Sequence, residues 1–205
     1  MLRIAFIALC LTTFLALPAF AGDKAGTDTP ATQFVQKLGD KALTSLTAKD
    51  LPQAERAKRV RELLRSNFDI KTIARFALGT SWKTATEAQK SEYLDLFEKM
   101  IVSTYTERFQ DYSGQSFKVT KSSATGKDWV VSSQIIQKDG PPVAVGWQVR
   151  DKGEGMRIVD VTVEGISMSV TQRNDFAAVV QSGGGKVDAL LASLRKRCNI
   201  NSKKG

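Results

Sequence analysis

The residues best able to do chemistry in this chain of 205 amino acids are carboxylates, tyrosines and arginines, because it contains no histidine. That absence removes the commonest general base, the Ser-His-Asp and Cys-His arrangements, and most zinc and copper sites at once. What is left is Asp and Tyr chemistry of the kind used by isomerases and hydratases. Asp160 and Glu164, in "MRIVDVTVEG", are spaced to share one face of a strand and are the acid–base pair such an enzyme would use. Their face is the polar one, however, since Val159, Val161 and Val163 fall on the other, and no carboxylate is embedded among the apolar rows. No catalytic residue, metal site or cofactor is therefore assigned.

Targeting decides which partners matter. Residues 1–21, "MLRIAFIALCLTTFLALPAFA", begin with a basic Arg3, continue with an apolar centre and end in Ala19-Phe20-Ala21, the small-x-small form of a signal-peptidase site. The apolar run from Ile4 to Leu17 falls short of the ~20 residues a membrane anchor needs, and Cys10 lacks the small residues before it that lipidation requires. The expectation is an exported, periplasmic protein with one domain over 22–205. That domain keeps only Cys198 and so cannot form an internal disulfide. Its formal charge falls from +9 to +8 with the loss of Arg3. An exported basic protein meets anionic lipid surfaces, acidic polymers and acidic proteins rather than nucleic acid.

Helical signals fill the first half. Thr29-Pro30 starts a helix carrying Phe34, Leu38, Ala42 and Leu46. Asp50 and Gln53 have capping-box spacing before a second helix, with Ala57, Val60, Leu64 and Phe68 on its apolar stripe and Arg56, Lys58, Arg59, Arg61 and Arg65 on its other faces. Asp69 caps a short third helix ending at Gly79. Thr86 and Gln89 box a long fourth helix in which Tyr93, Phe97, Ile101, Tyr105 and Phe109 recur every fourth residue until Gly114 stops it.

From Phe117 the period changes to two. "SFKVTK", "WVVSSQII", "VAVGWQVR" and "MRIVDVTV", separated by short Gly- and Pro-containing links, predict a four-stranded antiparallel meander. A helix over Thr171–Ser182, another bearing Val187, Leu190, Leu191 and Leu194, and a frayed basic tail complete the chain. One face of the meander is apolar, with Phe117, Val119, Val143, Val145, Trp147, Val149, Val159, Val161 and Val163. Helices covering that face fully would make it ordinary core; helices standing off from it would leave a dry slot. Periodicity leaves both open.

Two stretches carry more than composition: "FDIKTIARFALGTSWKTATEAQKSEYLDLFEKMIVSTYTERFQDYSG" (68–114) and "VDVTVEGISMSVTQRNDFAAVVQSGGGKVDALLASL" (159–194). Together they resemble the MlaC, or toluene-tolerance, family of periplasmic phospholipid-binding proteins, with its hopanoid-associated relatives. The resemblance implies an NTF2-like α+β fold, in which N- and C-terminal helices close a curved sheet around an acyl-chain pocket on the order of 1,000 Å³. It implies a monomeric carrier moving phospholipid, or a hopanoid-like lipid, between an outer-membrane lipoprotein complex and the MCE-domain subunit of an inner-membrane ABC transporter. Under it, Ile73, Phe76, Trp82, Phe97, Ile101, Tyr105, Val131, Val143, Val145, Trp147, Val149, Val161, Val163 and Met168 line the pocket. Arg173 meets a head group or fixes the sheet-to-helix joint, and Arg56, Arg59, Arg195 and Arg197 serve docking.

Overall fold

The computed structural model describes residues 26–202; the expected signal segment lies outside them. Thr29 accepts from the Thr32 amide while the Thr32 hydroxyl accepts from the Thr29 amide, so two otherwise orphaned donors are satisfied at the start of α1 (Pro30–Leu46). Val35, Leu38, Ala42 and Leu46 form its buried stripe, with Phe34 only half-buried beside them. The capping box expected from Asp50 and Gln53 does not form. Pro52, in extended conformation, is the residue before α2 (Gln53–Asn67), and no side chain caps it.

The neighbouring helices follow more closely. Asp69 accepts from the Thr72 amide to start α3 (Ile70–Leu78), and Gly79 at φ 62° ends it. A one-turn helix, α4 (Ser81–Thr84), leads to α5 (Glu87–Gln110), opened by the Thr86–Gln89 capping box. Helix α5 stops at Asp111, three residues before Gly114, whose φ of 98° instead turns the chain into the sheet.

Strands β1 (Ser116–Thr125), β2 (Asp128–Ile136), β3 (Val143–Asp151) and β4 (Met156–Val163) form the antiparallel meander, and the two-residue β5 (Ile166–Ser167) adds a fifth strand at its edge. Two bulges bend it. Thr120 is the extra residue between β1 and β2, and Val159 the extra one between β3 and β4. The second bulge corrects the expected apolar row: Ile158, fully buried, pairs with Val149, while Trp147 pairs with Val161 and Val145 with Val163. Val159 drops out of that row. Helices α6 (Met168–Ser182), capped by Ser167, and α7 (Val187–Ser202) follow; residues 195–199, expected to fray, are helical.

Two apolar cores result. One is helical, built by α3, α5, α6 and α7 around Tyr93, Phe97 and Phe176, whose rings meet at centroid distances of 5.8 to 6.2 Å. The other lies between α1, α2, the C-terminal half of α5 and the inner face of the sheet. Phe68 bridges from the end of α2 to Ile158 of β4, and the Asp69 amide donates to the Ile158 carbonyl, which locks the helices to the sheet.

Candidate binding cavity

The second core is not filled. Between α1, α2 and α5 on one side and β1 to β4 on the other lies a cavity of about 480 Å³. Leu38, Ala42, Leu43, Leu63 and Leu64 line it from the helices, and Ile135, Val143, Val145, Trp147, Val161 and Val163 from the sheet. Gly39 brings α1 close enough that a Cβ there would fall 2.3 Å from the Phe117 ring, and that ring stands edge-on to Trp147 at 6.0 Å. Trp147 donates from Nε1 to the Ser133 hydroxyl at 2.8 Å, so a large ring is held against the cavity without an orphaned polar atom.

Polar groups collect at one end, where α5 runs out. Tyr105, Arg108, Asp111, Tyr112 and Gln115 line it there. The Tyr112 hydroxyl donates to the Gln115 carbonyl at 2.6 Å, and the Arg108 guanidinium lies 5.8 Å from the centre of the Tyr105 ring. Burial pushes the Tyr105 phenol above its ordinary range. Arg108 and Asp111 are the only charged residues on the cavity among the described residues.

Of the residues expected to line a pocket, Tyr105, Val143, Val145, Trp147, Val161 and Val163 do line this cavity. Val131 and Val149 lie on the same sheet face but are fully buried beyond it. Ile73, Trp82 and Phe97 belong to the helical core, and Ile101 packs against both cores without reaching the cavity. Phe76 is 40% exposed, and Met168, the first residue of α6, is half-buried elsewhere. Trp82 instead packs edge-on to Tyr93, with Lys90 5.5 Å from its ring centre. The cavity is about half the expected size.

The arginines are also redistributed. Arg173 is away from the cavity: its guanidinium stacks over Phe76 at 5.2 Å, against Gly79. The sheet-to-helix joint expected of it is made by Asp160, which accepts from the Ser167 hydroxyl at 2.6 Å and from the Val161 and Ser169 amides. Glu164 sits in the β4–β5 turn at φ 49° and accepts from the Ala144 amide, so neither carboxylate of the suspected pair faces a site. Arg56 is only 3% exposed and cannot serve an outer docking face; it binds the Leu46 and Ala48 carbonyls at the end of α1. Arg59 pairs with Glu55 and Arg195 with Glu92, while Arg197 is exposed. Residues missed from sequence were Arg108, Asp111 and Tyr112, whose signal was their place where the long helix's aromatic row ends.

A curved antiparallel sheet closed by helices over an apolar cavity defines an α+β binding protein of NTF2-like architecture. The chain belongs to the MlaC protein family, whose model matches residues 36–196. It is also similar to the structure of a phospholipid-binding protein from Ralstonia solanacearum in complex with a phospholipid. The two share 25% identity at a TM-score of 0.73, over 85% of this chain and 99% of that one. Among the described residues no cluster of His, Cys, Asp or Glu could hold a metal ion.

Proposed function

We propose that this protein is a non-catalytic phospholipid carrier. The observation that carries the reading is the cavity between α1, α2 and the sheet, with branched aliphatic side chains on both its helical and its sheet wall and its charges confined to one end. Each buried CH₂ of an acyl tail gains about 0.8 kcal/mol, so a carrier competes with a bilayer only by offering tails a continuous apolar wall. This cavity offers one. Family membership and the lipid held by the Ralstonia relative support the same reading.

Residues 1–21 would export the chain to the periplasm, where it would exchange lipid between an outer-membrane lipoprotein complex and the MCE-domain subunit of an inner-membrane ABC transporter. The test is direct. Protein secreted into the periplasm, purified without detergent and analysed by native mass spectrometry should carry close to one lipid per chain, and extraction should identify glycerophospholipid. A triterpenoid in its place would reassign the cargo to the hopanoid-associated branch. Protein that remains empty after purification and after incubation with phospholipid vesicles overturns the carrier reading.

A further inference from the structure

At the mouth of the cavity two opposite charges stand unused. Arg108 and Asp111 lie three residues apart at the end of α5, on one helix face, and both line the cavity. They are not in ion-pair contact with each other, and among the described residues neither side chain makes a hydrogen bond or ion pair with any other group; the Arg108 guanidinium lies over the Tyr105 ring. Charges at similar spacing do close elsewhere, as Arg59–Glu55 does on α2 and Lys99–Asp95 on α5 itself. Tyr105, half-buried and lining the same end of the cavity, also has a hydroxyl without a hydrogen-bond partner among the described residues, and that hydroxyl is open to solvent. It is therefore able to donate to a ligand in the cavity.

We infer that these residues form a head-group subsite for a zwitterionic amino-phospholipid: Arg108 holds the phosphate, Asp111 the ammonium, and Tyr105 donates to an oxygen at the ester level. The exposure of these residues fits the chemistry of such a lipid: the aliphatic walls would take the tails, the half-buried Tyr105 an ester oxygen, and the exposed Arg108 and Asp111 the two head-group charges. A planar guanidinium suits phosphate, and a carboxylate suits a primary ammonium. A purely anionic head group would leave Asp111 facing like charge.

This inference rests on the carrier reading, and one experiment separates the two. Delipidated protein is offered mixed vesicles containing dioleoylphosphatidylethanolamine, dioleoylphosphatidylglycerol and dioleoylglycerol, which share the same tails, and bound lipid is counted by mass spectrometry. Wild type should prefer the ethanolamine lipid, then the glycerol phospholipid, then the neutral diacylglycerol. Arg108→Met should lower both phospholipids about tenfold relative to diacylglycerol, the size of a lost charge-assisted hydrogen bond, with Arg108→Lys recovering part. Asp111→Asn should erase the preference for ethanolamine over glycerol, and Tyr105→Phe should lower all three esters together. An Arg108→Met protein that keeps the wild-type ratio of phospholipid to diacylglycerol, or an Asp111→Asn protein that keeps the ethanolamine preference, overturns the subsite. Uptake of all three lipids without discrimination by wild type overturns the subsite alone. Uptake of none overturns the carrier reading with it.

Discussion

Arg56 shows what a single residue can be asked to do when a helix must end indoors. The last carbonyls of α1 have no intrahelical donors, and the guanidinium supplies one to Leu46, Nε at 2.9 Å, while a terminal nitrogen bonds the Ala48 carbonyl just past the helix at 2.8 Å. Its charge also meets the negative end of the helix dipole. Replacing Arg56 with alanine should cost about 3 kcal/mol, since both carbonyls lose a charged donor, and lysine should recover little because it lacks the fork. Urea unfolding midpoints check this; an unchanged midpoint for Arg56→Ala would show that solvent serves the carbonyls as well. A second residue ties stability to pH. The Arg150 guanidinium, bonded to both oxygens of buried Asp128, holds that carboxyl below its ordinary range. Because the folded value is depressed, the contribution is fully present above the unfolded value of about 3.9 and is lost as pH falls through the folded one. Asp128→Asn should therefore be less stable than wild type at neutral pH, with the gap closing in acid. A gap that stays constant from pH 7 to pH 2 would mean the bridge contributes nothing through ionisation.

At the scale of elements, α5 explains both what the sequence disclosed and what it hid. Residues four apart on an α-helix advance by about 40° around the axis, so the row from Tyr93 to Phe109 turns through roughly 160° over its length. Tyr93 and Phe97 therefore face the helical core while Tyr105 and Phe109 face the cavity. The helix, its cap and its apolar row were legible; that one row serves two cores was not, because spacing alone does not record the drift. The bulge in β4 escaped for a related reason: Ile158 and Val159 are adjacent and both apolar, so either register satisfies alternation. The sheet, its order and the cavity-facing valines of β3 followed from period two. Which parts of the apolar face stay open did not, since filled and open walls use the same residue types. That difference is testable by adding bulk. Val161→Trp, against the cavity, should leave stability within about 1 kcal/mol and sharply reduce bound lipid, whereas Val131→Trp, in sealed packing, should destabilise by about 1–3 kcal/mol or more. Equal stability losses would place both valines in the same packed core.

For the whole molecule, the division into two cores sets how ligand binding is felt. The helical core is closed around Tyr93, whose hydroxyl donates to the Ala74 carbonyl at 2.8 Å, and none of its residues lines the cavity. The sheet core contains the cavity, so its apolar walls face each other across space instead of touching side chain to side chain. Dispersion contacts are lost outright across such a gap. A bound acyl chain restores them, and a ligand that binds only the folded state adds about 2.7 kcal/mol at a hundredfold excess over its Kd. Because local opening draws on local contacts, that gain should not be uniform. Hydrogen exchange on delipidated and lipid-loaded protein should show slower exchange on loading in α1, α2 and the inner strands β2 to β4. The backbone around Tyr93, Phe97 and Phe176 should exchange at the same rate in both forms unless it opens only by global unfolding, in which case its rate reports the total gain. Protection that rises in the helical core while the walls of the cavity stay unchanged would place the lipid elsewhere, and the cavity would lose its claim to be the binding site.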